Sequence, residues 1–512
     1  MARSLSGADP APARSAGAPA RGRPQGGRAG RHGRLGRSGG ALRATAMTAH
    51  GGNWRDDVRR WIRTPGARVH LMGVGGIGMA GVARLLAAKG LRVTGCDGGA
   101  PRTLAWLRSC GIPAITGHDP AHLDGVDWAV FSPALQPGHP ERAAAEEQGI
   151  PLYRRGQVLP VLAENWKTIA VSGSHGKTTT AAMIAHVLRA CGADPSWCIG
   201  GELPPDGAPA GIGQSDWLAI EADESDGTLA HYAPEIAVVT NVEFDHMEHF
   251  DSKAAMVACF RTFARQAQAV VFCADDPEAA KIGAETGGTS CGFAPGADFR
   301  GEILEAGPGG TQFAVCAPGG RAATAGLPLP GRHNVLNALA ALAACTRCGI
   351  ALDAAAAALA RFALPKRRFE LVAEARGIRI VADYAHHPSE IRALIDAAKQ
   401  AGAGRIWAVF QPHRYTRTVA LGAEFPPAFA GVAGVILAPV YAASEPPLAG
   451  GTSEDLLKHF WNHHGVPAEL APSLEAAAES AAARWKPGDW VLVVGAGDVE
   501  DVGPLLKRLL ER

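Results

Sequence analysis

The stretch Ser172-Gly173-Ser174-His175-Gly176-Lys177-Thr178-Thr179-Thr180 follows a short β-rich apolar run, Thr168–Ser172, and opens an Ala-rich helical run, Thr178–Ala190. A glycine-bearing loop between a strand and a helix aims backbone N–H groups at phosphate. Its lysine reaches the β- and γ-phosphates, and the hydroxyl that follows is placed to ligate Mg²⁺. The loop departs from G-x-x-x-x-G-K-[ST]: Gly173 lies four positions before Lys177, which leaves it two residues short. A Gly-Lys-Thr in a plain surface turn is the alternative, and placement after a strand and before a helix argues against it.

Downstream, the run Trp217–Ile220 ends in Glu221-Ala-Asp223-Glu224-Ser-Asp226, and Ile236–Thr240 ends in Asn241-Val-Glu-Phe-Asp245-His246. Acids at the carboxyl ends of strands beside a phosphate loop suit a divalent cation, because four crowded carboxylates repel one another until one is neutralised. A solvated acidic loop is the competing reading. Upstream, the strand Val69–Met72 runs into Gly73-Val-Gly75-Gly76-Ile77-Gly78 and the helix Met79–Lys89, and Asp97 closes the next strand, Val93–Cys96. That layout serves a diphosphate, with NAD(P), a UDP-sugar or a tight turn all open.

A third series comprises Ile378–Asp383, the helix Ser389–Gln400, and the strands Ile406–Phe410, Gly434–Pro439 and Trp490–Val494. Two strand ends carry His/Arg loops, Asp383-Tyr384-Ala-His386-His387-Pro and Gln411-Pro-His413-Arg414-Tyr-Thr-Arg417. Arg forks bind phosphate and carboxylate well, so these loops read as a crevice for an anionic ligand. Three strand-to-loop-to-helix series predict an α/β protein of three domains with parallel sheets: residues 66–164, 165–364 and 365–512.

The composition agrees. A chain of 512 residues, 47% hydrophobic, is long enough for about three cores. Its formal charge of +1 argues against a polyelectrolyte that binds nucleic acid or membrane surfaces. The balance is uneven, because residues 1–46 hold nine Arg and a single acid while the rest holds 41 basic and 48 acidic residues. Residues 1–50, rich in Arg, Gly, Ala, Pro and Ser, read as a disordered basic tail: an upstream start before Met47, a polyanion-binding arm or a targeting segment. The clefts are expected to be basic exceptions on an acidic body, built from Lys177, His386, His413, Arg414 and Arg417. Ten scattered cysteines suggest reduced thiols, with Cys345-x-x-Cys348 structural. No run approaches the ~18 apolar residues of a membrane span, which predicts a cytoplasmic protein.

Taken with Asp245-His-Met247, Gly331-Arg-His-Asn334-Val-Leu-Asn337-Ala and Tyr441-Ala-Ala-Ser-Glu445, these motifs resemble those of the Mur ligases of peptidoglycan synthesis over about residues 66–512. The resemblance implies a Rossmann-like N-terminal domain, a central P-loop ATPase-like parallel sheet and a Rossmann-like C-terminal domain. Within the family the pattern favours ATP-dependent addition of L-alanine to the carboxylate of UDP-N-acetylmuramate through an acyl phosphate. The alternative is addition of a recycled tripeptide to the same sugar. By motif matching it assigns Gly73, Gly75, Gly76, Ile77, Gly78, Asp97 and Ser132 to the UDP-sugar. Gly173, Ser174, His175, Gly176, Lys177, Thr178, Thr179, Asn334 and Asn337 fall to ATP, and Thr178, Glu221 and His246 to Mg²⁺. Tyr384, His386, His413, Arg414 and Arg417 fall to the amino acid, with Lys177 and the last four of these catalytic. It further implies a monomer or weak homodimer, with no nucleic-acid or membrane partner for the folded body. Some sibling ligases carry a carbamylated lysine where this chain has Arg261, so no such modification is expected.

Overall fold

The computed structural model describes residues 53–511 apart from 137, 205, 206, 248 and 464. The expected basic tail at 1–50 lies outside the described residues. Three α/β domains follow in chain order, each built on its own sheet.

The first sheet is wholly parallel, in the order Ala114–Thr116, Arg92–Asp97, Arg68–Met72, Trp128–Phe131, Leu152–Arg154. Its central strand, Arg68–Met72, is buried from Val69 onward, as expected where helices cover both faces. The chain leaves that strand to opposite sides, so a crevice opens at its carboxyl end, where Gly73–Gly78 sits.

The second sheet repeats this logic. Lys167–Ser172 lies between Ile236–Val239 and Trp217–Glu221, all parallel, and its end is the phosphate loop. Gly173 and Gly176 both have positive φ, and a Cβ on Gly173 would strike the Thr240 hydroxyl. A Cβ on Gly176 would meet the Asn337 amide oxygen, so both positions demand glycine. The helix that follows, Lys177–Ala190, is buried from Thr178 to Ala185 and packs against helix Arg332–Arg347.

Sequence periodicity did not expose the antiparallel meander Phe299–Gly307, Gly310–Ala317, Arg321–Leu327 that extends this sheet. In Gly310–Ala317, Thr311, Phe313, Val315 and Ala317 are buried while Gln312 and Cys316 face out. One face is wet, and so the run is half polar and lacks the apolar density of a parallel strand.

The third sheet runs Glu370–Ala375, Ile378–Asp383, Trp490–Val494, Ile406–Phe410, Gly434–Leu437, Ala468–Leu470, with only the first strand antiparallel. The loops after Asp383 and Phe410 therefore emerge side by side around the end of Trp490–Val494. Gln411 ties the loop after Phe410 to the segment after Val494, its amide donating to Asp498 at 2.6 Å and accepting from the Val499 N–H at 3.0 Å. All ten cysteines are free, and Cys345 is buried with its thiol on the Ile184 carbonyl. Among the described residues no helix is long and apolar enough to cross a membrane.

Candidate active site

Lys177 begins its helix, and its Nζ donates to the Gly173 carbonyl at 2.6 Å and to Glu224 at 2.8 Å. Burial opposes its charge, but Glu224, Glu221 and Asp223 outweigh that and hold its pKa above the ordinary lysine value. The Thr178 hydroxyl donates to Glu221 at 2.8 Å, and the same carboxylate oxygen accepts from the Gly200 N–H. His246 Nε2 stands 3.6 Å from Glu224. Glu224 is fully buried, and its second oxygen, Oε2, has no hydrogen-bond partner. A hydroxyl and two carboxylates, one with an orphaned buried oxygen, form a hard-oxygen donor set that fits Mg²⁺.

His175 reaches out of the loop to two acids, Glu243 at 2.8 Å and Glu390 at 3.0 Å, the latter on the C-terminal helix Pro388–Gln400. Desolvation works against its charge, yet Glu390 and Glu243 raise its pKa to about 9. Behind it a cavity of about 280 Å³ lies between the two domains, lined by His333, Asn334, Asn337, Ala340, Arg368 and Phe369 among others. Asn334 is itself engaged, donating to the Pro330 carbonyl at 2.7 Å.

In the C-terminal cluster His386 and His413 face each other with ring centroids 5.6 Å apart, and Tyr441 stacks on His413. Burial pushes His386 down to about 4. Burial, aided by His386 and Arg417, pushes His413 down to about 2. Both rings are therefore neutral at pH 7, and their partners settle the tautomers. His386 Nδ1 lies 3.0 Å from the Tyr384 carbonyl, which only accepts, so Nδ1 carries the proton and Nε2 is the acceptor. His413 Nδ1 instead accepts from Arg417 Nη1 at 3.1 Å, which leaves the proton on Nε2. Arg417 is buried and forms a two-pronged pair with Asp245 of the central domain at 2.9 to 3.2 Å. Arg414, at φ +72°, meets Glu445 at 3.2 Å.

In the first domain the Gly73 and Val74 N–H groups donate to the Cys96 carbonyl, and Gly75 N–H donates to Asp97 at 2.9 Å. Asp97 thus shapes the glycine loop from within. Gly76 caps the helix Ile77–Ala88, so Ile77 and Gly78 form its first turn. Ser132 continues the neighbouring strand, its N–H on the Met72 carbonyl and its side chain against Gly73.

The expected basic cleft is corrected by these pairings. Lys177, Arg414 and Arg417 each face a carboxylate, and His386 and His413 are neutral, so the cleft is a set of matched charges. Sequence reasoning also passed over three residues. Arg155 sits beside Gly78 and pairs with Asp223 at 3.0 Å, joining the first glycine loop to the central acids. Arg368 approaches the Thr178 hydroxyl at 3.4 Å, and Glu390 holds His175. Position was the one signal available for two of them: Arg368 lies three residues past the predicted boundary at 365, and Glu390 lies in the first turn of the predicted helix Ser389–Gln400, whereas nothing local marked Arg155. Arg261 pairs with Glu285 on the surface.

A fold of three α/β domains with a phosphate loop at the switch point of the second defines a nucleotide-dependent enzyme class, and sequence comparison places it. Residues 68–167 match the Mur ligase family catalytic domain, 171–345 the Mur ligase middle domain, and 367–497 the Mur ligase glutamate ligase domain. The chain belongs to the Mur ligase family. More particularly, it is 43% identical to the UDP-N-acetylmuramate–L-alanine ligase of Kineococcus radiotolerans over 86% of this chain and 96% of that protein. The crystal structure of the UDP-N-acetylmuramate–alanine ligase of Thermotoga maritima superposes with a TM-score of 0.74 at 27% identity, covering 86% of this chain and 98% of that one. A murein peptide ligase from Psychrobacter arcticus, 24% identical with a TM-score of 0.67 over 87% of this chain and 99% of that one, shares the fold.

Proposed function

We propose that this chain joins L-alanine to the carboxylate of UDP-N-acetylmuramate with cleavage of ATP to ADP and phosphate, as a cytoplasmic step in peptidoglycan precursor synthesis. The observation that carries this reading is an unbroken line of contacts between domains. Lys177 meets Glu224, His246 lies beside Glu224, and Asp245, next in sequence, clasps Arg417, which holds His413 opposite His386. A phosphate-transfer site and an amine-activating site thereby share one cleft.

In the first half-reaction a muramyl carboxylate oxygen attacks the γ-phosphorus and ADP leaves. In the second the alanine nitrogen attacks the acyl carbon, phosphate leaves, and the amine loses a proton. The loop amides from Gly173 to Thr179 and Lys177 hold the phosphates, with Asn334, Asn337 and the interdomain cavity around the base. Thr178, Glu221 and Glu224, with His246 beside Glu224, would hold Mg²⁺, which would draw charge from the β- and γ-phosphates when bound. The loop Gly73–Gly78, with Asp97 and Ser132, holds the UDP diphosphate. Arg414 and Tyr384 position the amino acid. His386 Nε2 accepts the amine proton while His413 Nε2–H steadies the oxygen on which charge builds.

The deciding experiment is ADP release with components left out one at a time. Release requires UDP-N-acetylmuramate, L-alanine, ATP and Mg²⁺ together; turnover with a murein tripeptide and none with L-alanine would replace this reading with the recycling one. His386→Gln is expected to lower kcat about 10²–10⁴-fold with KM for ATP unchanged.

A further inference from the structure

Behind the first glycine loop, four elements bring metal-ligand side chains onto one face of the first sheet. His70 and Cys96 stand on adjacent parallel strands, where His70 pairs with Thr94 and Met72 with Cys96, so both side chains point the same way. His122 comes from the turn Pro120–Leu123, and Glu141 from the first turn of helix Pro140–Glu147. His70, Cys96 and Glu141 are fully buried. We infer that His70 Nε2, Cys96 Sγ, His122 Nδ1 and a Glu141 oxygen form a binding site for a divalent cation of zinc type, separate from the Mg²⁺ site of the ATP loop.

The geometry is that of a closed ligand set. All four ligand atoms lie within 4.8 Å of one another. Tetrahedral ligands at 2.0–2.3 Å from zinc stand about 3.5 Å apart. Here His70 Nε2 is 3.3 Å from Cys96 Sγ and 3.9 Å from Glu141 Oε1, Cys96 Sγ is 2.9 and 3.1 Å from the two Glu141 oxygens, and His122 Nδ1 is 2.7 Å from Oε1. Opening this set to tetrahedral spacing takes shifts under about 1 Å.

The surroundings are organised as a metal requires. Thr94 Oγ1 lies 2.8 Å from His70 Nδ1, which fixes the ring with Nε2 inward. His118 Nδ1 reaches both the Glu141 carboxylate at 2.9 Å and Cys96 Sγ at 3.2 Å, and the Asp119 N–H donates to Glu141 at 3.1 Å, so the carboxylate is held in place. Met72, Leu123, Phe131 and Leu152 pack around Cys96 and keep water away. A thiolate and two imidazoles select zinc, cobalt or ferrous iron over Mg²⁺ and Ca²⁺. The Cys96 thiol and the Glu141 carboxylate are buried against each other, so a cation bound between them would balance charge that the sheet encloses. Because the Cys96 carbonyl receives the Gly73 and Val74 amides, such an ion would brace the strand end that carries the diphosphate loop.

The test uses the full chain loaded with Zn²⁺ or Co²⁺ and desalted. One equivalent of zinc per chain is expected to remain, and the cobalt form should show thiolate-to-cobalt charge-transfer absorption. That band cannot arise at Thr178, Glu221 and His246, which offer no sulfur. Cys96→Ser should abolish it, and His118→Gln, which removes a nitrogen in contact with both Glu141 and Cys96, should weaken binding about 10–100-fold. Wild-type protein that holds no zinc and shows no charge-transfer band overturns the inference, as does a band that persists in Cys96→Ser.

Discussion

Lys177 keeps its charge at a buried position only because Glu224 and the loop carbonyls surround it, and incoming phosphate oxygens would compete for the same ammonium. Removing it leaves the Glu224 carboxylate buried without its cation. Lys177→Ala should therefore lower kcat about 10²–10³-fold, read by ADP release, while far-ultraviolet circular dichroism stays native. Asp245 and Arg417 are both at least nine-tenths buried, in side chains that belong to different domains. Asp245→Asn strands a buried guanidinium and is expected to cost about 3–5 kcal/mol in urea unfolding. A loss below about 1 kcal/mol would show that the pair is solvated in solution. The tautomers of His386 and His413 belong to this scale too, since each follows from one hydrogen-bond partner.

At the scale of elements, the phosphate loop works because a strand end and a helix start meet with no room for side chains between them. Gly176 caps the helix in the left-handed region and lies against Asn337 on helix Arg332–Arg347. Gly176→Ala should cost about 1–2 kcal/mol for the backbone alone, plus whatever the Asn337 contact adds. ATP affinity should fall with it, measurable by calorimetric titration; unchanged affinity would mean that the loop re-forms around the methyl group. Strand placement follows equally plain physics. Ile406–Phe410 ends in Phe410, packed between Phe425 and Phe429 with centroids 5.2 Å away, which anchors the strand whose end presents His413 and Arg414.

Over the whole molecule, stability should peak near pH 6.5. His175 titrates at about 9 in the fold against about 6.5 free, so its interdomain pairing contributes fully below pH 6.5 and is lost as pH rises through 9. The shift corresponds to about 3 kcal/mol. His386 and His413 are depressed, so their contribution is present above pH 6.5 and is lost on acidification, toward about 4 for His386 and about 2 for His413. Urea unfolding followed from pH 5 to 9.5 should show both limbs, and His175→Gln should flatten the alkaline one alone; an equally steep alkaline limb in the variant would assign it elsewhere. The three strand-loop-helix series, the order of their motifs and the glycines of both loops were legible in the sequence, because apolar period and backbone freedom are local properties. The antiparallel meander was not, since its alternating pattern with one wet face dilutes the apolar signal. Neither were the partners of the charges: Glu224 for Lys177, Asp245 for Arg417, Glu390 for His175, nor the gathering of His70, Cys96, His122 and Glu141. Those pairings join residues up to 215 positions apart. The sequence by itself thus determined which groups sit at the strand ends. Only the tertiary structure decided which of them meet, which stay charged and which ring nitrogen holds the proton, because sheet order and domain packing bring each pair into contact and set its dielectric surroundings.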